Sequence, residues 1–227
     1  MRRTFKFRLY PTKEQERTLD YWLYLCRKLY NAMLEQRIIV WQQRRKSVNF
    51  YSQKRELPNL KVEMPEYADV GSQVLQDVAE RLDKSFKKFF KNGAGFPKFQ
   101  GRNRYDSFTY TQAGWKLKDG CLLLAKCGPI QVRWSREIEG DIKTVTIKRK
   151  AGQWYVCFSC DNVPAPVYPA TDKVVGIDLG IEALATTSEG ERFENAKFLK
   201  RKLKHLRRLN RKLARQKNKQ SNRRRKT

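Results

Sequence analysis

The stretch Val174-Val175-Gly176-Ile177-Asp178-Leu179-Gly180, late in a chain of 227 residues, decides how the rest is organised. Read as a β-strand, it sends successive side chains to opposite faces. Val175, Ile177 and Leu179 then share one face, and Gly176, Asp178 and Gly180 share the other. The second face carries a single carboxylate between two positions without side chains. A glycine inside a strand marks close approach by a ligand or by backbone. A carboxylate at the floor of such a cleft suits a divalent cation. The plainer alternative is a surface aspartate on a short hairpin. The following residues favour the cleft. Leu184 to Thr187 reads as a second strand, Ser188-Glu189-Gly190 as a tight turn, and Glu191-Arg192-Phe193 as the start of a third.

Charge sets the class of partner. Fifty Lys and Arg oppose 23 Asp and Glu, a formal net charge of +27. Such an excess calls for a polyanion, most simply nucleic acid held through its phosphates and therefore salt-sensitively. Hydrophobic residues make up 40%, enough for a packed core in one large or two small domains. No apolar run approaches the roughly 18 residues of a spanning helix. The N-terminus is basic without the apolar centre of a signal peptide. The expectation is a cytoplasmic protein with no membrane partner. The five cysteines (Cys26, Cys121, Cys127, Cys157 and Cys160) are an odd number and read as free thiols. Cys157 and Cys160 have the spacing of a zinc knuckle, but they sit in a strand-like run where positions three apart face opposite ways. No zinc is expected. His205, in a basic helical run, reads as solvated surface.

Along the chain, Phe5, Phe7 and Leu9 alternate with Lys6 and Arg8 in a half-buried strand that Pro11 ends. Thr12 and Gln15 form a capping box before a helical period of Leu19, Trp22, Leu23, Cys26, Leu29, Tyr30, Met33 and Leu34, running to about Trp41. Residues Ser47 to Asp69, with Pro58 and Pro65, read as connecting structure. A second helix, from about Ser72 to Lys91, puts Val74, Leu75, Val78, Leu82, Phe86, Phe89 and Phe90 on a packing face. Lys84, Lys87, Lys88 and Lys91 fall on the other side. Asn92-Gly93-Ala94-Gly95 stops the helix. Strands follow at Ser107–Thr111, Cys121–Leu124, Ile130–Arg133, Ile142–Arg149 and Trp154–Cys160, with hairpin turns at Asp119-Gly120 and Ala151-Gly152. Pro164, Pro166 and Pro169 mark a stiff linker and a domain boundary at 162–171. Beyond it, Phe198, Leu199, Leu203, Leu206, Leu209 and Leu213 face one side of a helix; from Lys197 onward there are 16 basic residues and no acidic one. Residues Asn218 to Thr227 read as a disordered tail.

Five stretches carry a resemblance: Phe7-Arg8-Leu9-Tyr10-Pro11-Thr12, Lys28-Leu29-Tyr30-Asn31, Lys87-Lys88-Phe89-Phe90, Gly95-Phe96-Pro97-Lys98-Phe99 and Gly176-Ile177-Asp178-Leu179-Gly180. In that order and spacing the sequence resembles the N-terminal part of the TnpB (OrfB) family, RNA-guided DNA nucleases encoded by insertion sequences. An aspartate strand followed by a meander also resembles the first phosphate loop of sugar-kinase and actin-type ATPases. That reading leaves the basic excess unexplained and needs a second phosphate loop downstream.

The resemblance implies an α+β protein. Residues 1–10 and 96–161 would form a β-barrel wedge domain, with a helical recognition lobe inserted at 11–95. After the linker, 172–227 would be the first strands and a basic helix of an RNase H-like (RuvC) nuclease domain. It implies a guide RNA and a target double-stranded DNA as partners, with a short motif beside the target read by the protein. It makes Asp178 the first catalytic carboxylate and a ligand of Mg²⁺, in a site where three carboxylates hold two ions. No acidic residue follows Glu194, so Mg²⁺ is expected only where residues outside this chain, such as a separate C-terminal fragment, complete the site. The chain by itself is expected to bind rather than cut. Two alternatives are a nuclease-dead guided DNA-binding repressor and a generic basic RNA-binding protein. The expected nucleic-acid contacts are basic residues rather than aromatics: Lys84, Lys87, Lys88 and Lys91; Lys98, Arg102 and Arg104; and Arg201, Lys204, Arg208 and Arg211.

Overall fold

The computed structural model describes residues 1–102, 104–165, 171 and 174–218. The chain divides into two compact units, Met1–Pro166 and Val167–Thr227. The middle of the expected linker, the start of the expected nuclease domain at 172–173 and the tail from residue 219 lie outside the described residues.

The first unit is built on β1 (Arg3–Tyr10). Its alternation does what the pattern demands: Phe5, Phe7 and Leu9 are each 2% exposed, while Lys6 and Tyr10 face solvent. Six further strands follow the helices: β2 (Ser107–Tyr110), β3 (Trp115–Lys118), β4 (Cys121–Leu124), β5 (Gly128–Arg133), β6 (Asp141–Lys150) and β7 (Gln153–Asp161). They form a seven-stranded antiparallel sheet in the order β2-β6-β7-β1-β5-β4-β3. The register sets Phe5 opposite Phe158, Phe7 opposite Val156 and Leu9 opposite Trp154, so the buried faces coincide. Both expected hairpin turns are present. Asp119 and Gly120, and Ala151 and Gly152, have positive φ at the two central positions, the geometry that matches strand twist. The strand β3 was not expected, because Trp-Lys-Leu-Lys offers only one short alternation.

The helices are α1 (Lys13–Arg44), α2 (Phe50–Glu63) and α3 (Ser72–Asn92), with a 3₁₀ turn at Pro65–Asp69. α1 is one unbroken helix of 32 residues, begun by the Thr12–Gln15 capping box. Every apolar residue of its expected stripe is buried. α2 corrects the reading of this region as connecting structure. Asn49 and Ser52 form a reciprocal cap that starts the helix, and Pro58 sits within it. Proline removes a backbone hydrogen bond there, at a cost of about 3 kcal/mol. The buried side chains of Gln53 and Leu57 anchor the helix against that loss.

α3 ends at Gly93, whose φ of 62° is the left-handed conformation that closes helices. It joins the sheet through Arg81, which donates to the Ser107 carbonyl at 2.7 Å and to Thr109 Oγ1 at 2.8 Å. Trp22 of α1 packs edge-on against Phe108 of β2, 5.9 Å between centroids. A single buried cluster therefore runs from the helices into the sheet. One residue departs from the expected packing face: Phe90 is 74% exposed.

The second unit holds β8 (Ile177–Asp178), β9 (Ala183–Thr187) and β10 (Arg192–Glu194) as an antiparallel sheet in the order β10-β9-β8. Gly190, at φ 84°, makes the β9–β10 turn. The helix α4 (Phe198–Asn218) follows. Of the seven residues from Val174 to Gly180, only Ile177 and Asp178 are strand, and Val175, Ile177 and Leu179 are 44%, 63% and 75% exposed.

Candidate nucleic-acid interface

Asp178 is exposed on β8, opposite Thr186 of β9, which in turn stands opposite Arg192 of β10. The flanking glycines have local reasons. Gly176 is tied to the hairpin, its N–H donating to Ser188 Oγ at 3.0 Å and its carbonyl accepting from Ser188 N–H at 2.8 Å. A Cβ at Gly180 would press on the Ala183 carbonyl oxygen at 3.2 Å. Backbone makes that close approach at Gly180. Among the described residues no group of three His, Cys, Asp or Glu side chains could hold a metal ion. A two-metal site needs several carboxylates around one spot, and the residues described here do not fit one.

The expected basic contacts fall on two helical faces and one loop. On α3, Lys84, Lys87, Lys88 and Lys91 recur at three and four residues and share an exposed side. Lys84 pairs with Glu80 at 2.8 Å and Lys87 with Asp83 at 2.9 Å, both one turn back. Such surface pairs are weak and screened by salt, so they do little to hold the lysines from another anion. Among the described residues Lys88 and Lys91 make no ion pair. Lys98, Arg102 and Arg104 are exposed in the loop after α3. Asn31 of α1 fixes that loop, accepting from Gln100 N–H at 2.8 Å and donating to the Gln100 carbonyl at 3.1 Å. On α4, Arg201, Lys204, Arg208 and Arg211 line one exposed side and the leucines the other. The structure thus groups the α3 lysines on one face and the α4 cations on another, in different units.

A third basic surface was not singled out from the sequence. The outward residues of the large sheet form a row across five strands: Ser107, Lys148, Tyr155, Arg8 and Arg133. Beside it, the Lys6 ammonium lies 3.9 Å from the centroid of the Tyr155 ring. The signal was present in β1, where Lys6 and Arg8 occupy the polar positions of the alternation. Sheet order, which sequence does not give, brings their cross-strand neighbours alongside. Cys157, on this side, is half-buried, and burial pushes its thiol up. Cys160 is fully buried on the opposite side of the same strand.

Comparison with known proteins places these residues in context. A family model described as "Probable transposase" (OrfB_IS605) matches residues 156–227, and one described as "Helix-turn-helix domain" (HTH_OrfB_IS605) matches residues 1–46. Residues 1–46 here hold one strand and one unbroken helix rather than two helices across a turn. A curated relative from Streptomyces pristinaespiralis, named "Putative RNA-guided DNA endonuclease", is 35% identical over 208 residues, covering 88% of this chain and 52% of its own. "Putative RNA-guided DNA endonuclease InsQ" from Escherichia coli K12 is 33% identical over 216 residues, covering 93% and 53%. The chain spans about half the length of the curated relatives it matches. Among solved structures, a Cas12f1–sgRNA–target DNA complex superposes with a TM-score of 0.49 at 14% identity, over 94% of this chain and 62% of that one.

Proposed function

The chain belongs to the OrfB family of IS605-type insertion sequences, and from that premise we propose that it is the nucleic-acid-binding portion of a TnpB-type RNA-guided DNA endonuclease. Its partners in this reading are a guide RNA and a target double-stranded DNA. The observation that carries it is the placement of charge: the cations stand in exposed stripes on α3 and on α4, and a row holding Arg8, Arg133 and Lys148, mostly half-buried, crosses the large sheet. Ordered stripes of this kind follow a phosphate backbone. The large sheet serves as the wedge and α1 to α3 as the recognition lobe. Residues 172–227 begin a RuvC-like domain with Asp178 as its first catalytic carboxylate.

In the same reading, residues 1–227 bind without cutting, because among the described residues no three His, Cys, Asp or Glu side chains gather into a group that could hold a metal ion. Mg²⁺ enters once further carboxylates complete the site. The lack of such a group among the described residues equally favours a second reading, a guided protein that acts by occupying its target.

The test is to sequence the RNA that co-purifies with the chain, then challenge the loaded complex with matching and non-matching duplex DNA in Mg²⁺. We expect one dominant RNA from a single locus, salt-resistant retention of matching DNA, and no cleavage. A smear of cellular RNA would reduce the chain to a polycation. Cleavage lost on Asp178→Ala would overturn the binding-only assignment. Repression of a matching promoter in cells, kept by Asp178→Ala in the longest natural form of the protein, would select occupancy over cutting.

A further inference from the structure

From Lys84 to Tyr105 the chain has seven basic residues, five phenylalanines and no acidic residue. The structure gathers four of those rings at the end of α3. Phe86 is the anchor, half-buried with the Arg37 guanidinium 4.9 Å from its centroid. Phe89 and Phe90 lie 5.0 Å apart, and Phe96 meets Phe86 and Phe89 edge-on at 5.5 and 5.4 Å. Phe90 lies nearly parallel to Phe86, the planes 25° apart.

The outer rings are not covered. Phe90 is 74% exposed, Phe96 46%, and Phe99, further along the loop, 52%. Packing explains Phe86 but not an aromatic group left this open. Clustered exposed aromatics mark a binding surface. The rim identifies the partner. Lys87, Lys88, Lys91 and Lys98 surround the rings in sequence, all exposed, with no carboxylate on the segment. An apolar protein partner would have to desolvate or neutralise these charges, whereas a nucleic-acid strand brings its own phosphates.

We propose that Phe89, Phe90, Phe96 and Phe99 form a stacking platform for unpaired bases of an RNA strand whose phosphates lie on Lys88, Lys91 and Lys98. Bases have π-faces that stack on such rings irrespective of sequence, while lysines track the backbone. RNA offers unpaired bases in its loops and ends, whereas duplex DNA keeps its bases stacked inside. The loop bearing Phe96 and Phe99 is fixed to α1 through Asn31, so the platform is formed before binding. This inference rests on the nucleic-acid reading above. It assigns to aromatic side chains a role that the sequence reading gave to cations alone.

The test compares the wild-type chain, the double variant Phe90→Ala with Phe99→Ala, and Phe90→Trp. The probes are a 12-nucleotide oligouridylate, its deoxyuridine counterpart and a blunt DNA duplex. Both substituted rings are largely exposed, so folding is retained and is checked by circular dichroism. We expect the double variant to lose on the order of 10- to 100-fold in affinity for the RNA, as the worth of base–aromatic stacking implies. Its salt dependence and its binding to the duplex should stay unchanged, and Phe90→Trp should keep wild-type affinity.

Unchanged RNA affinity in the double variant overturns the platform, as does an equal loss on the duplex. A loss confined to the deoxy strand assigns the platform to DNA and overturns the RNA assignment. Concentration-dependent dimerisation abolished by Phe90→Ala, with RNA binding intact, assigns it to a second copy of the chain. A wild-type chain that binds none of the probes refutes the nucleic-acid reading itself. That result is distinct from a failure of the rings alone.

Discussion

Gly140 shows how one missing side chain holds the first unit together. Its φ is +76°, and a Cβ placed there would lie 2.2 Å from the Asp161 carbonyl oxygen and 3.0 Å from the Val163 nitrogen. All of these contacts are backbone, so no rotamer change relieves them. The position lies where β6 begins and β7 ends. The same corner receives the chain's N-terminus: the Met1 ammonium donates to the Val163 carbonyl at 2.7 Å, and Val163 N–H donates back to Met1 at 3.0 Å. Arg2 grips Asp161 there, and its hydrogen bond holds that carboxyl below the usual carboxylate range. Gly140→Ala combines a forbidden overlap with a backbone conformation that alanine disfavours, and is expected to destabilise the unit by about 3 kcal/mol or more. Urea unfolding followed by tryptophan fluorescence measures this. A loss under 1 kcal/mol would mean the corner yields easily.

Among the elements, α1, α2 and α3 meet at a polar hub. Arg37 Nε donates to Gln53 Oε1 at 2.9 Å, and an Arg37 terminal nitrogen lies 3.5 Å from Asp83. The Gln53 amide donates to the Met33 carbonyl and to Gln36, each at 2.8 Å. Burial lowers the Arg37 pKa, opposed by Asp83, yet Arg37 remains a cation that needs every partner. Gln53→Leu keeps the volume but strands the buried Arg37 Nε, at an expected cost of about 2–4 kcal/mol. Thermal unfolding should show it, with α2 losing amide protection first. Equal protection loss across all three helices would place the hub elsewhere.

The hub also shows where the sequence stopped being legible. α1 and α3 announce themselves through long apolar stripes and caps. α2 has two buried residues, one of them a glutamine, and a proline in its interior, so neither period nor composition declares it. Its reason is tertiary. The exposed Phe90 was misread for the related reason that a stripe gives the direction of a ring and not where its partner helix ends. Asp178 could be named from its neighbours, but its surroundings could not, since the strand that bears it is only two residues long. The cation row across the large sheet needed strand order before its members became neighbours.

For the molecule as a whole the governing quantity is charge, +27 over 227 residues. Its distribution, not its sum, separates a guided binder from a polycation. If α4 lies along a phosphate backbone, replacing Arg201, Lys204, Arg208 and Arg211 by Gln removes a fixed number of contacts. The slope of log affinity against log salt should then fall in magnitude by about 0.7 per lost contact on a single strand and about 0.9 on duplex DNA. Four contacts correspond to a change of about 2.8 on RNA and about 3.6 on duplex DNA. The leucine side of α4 is untouched by these changes, and glutamine keeps good helix propensity, so a folding defect is not the expected cause. The α3 variant with Lys84, Lys88 and Lys91 changed to Gln provides the comparison. Where both helices contact one nucleic acid, the slope changes of the two variants add in the combined variant. Where the slope stays put and affinity falls equally with every polyanion, heparin included, the stripe acts only through the general field of the protein. A full-sized change on RNA with none on duplex DNA would give α4 to the guide; the reverse would give it to the target.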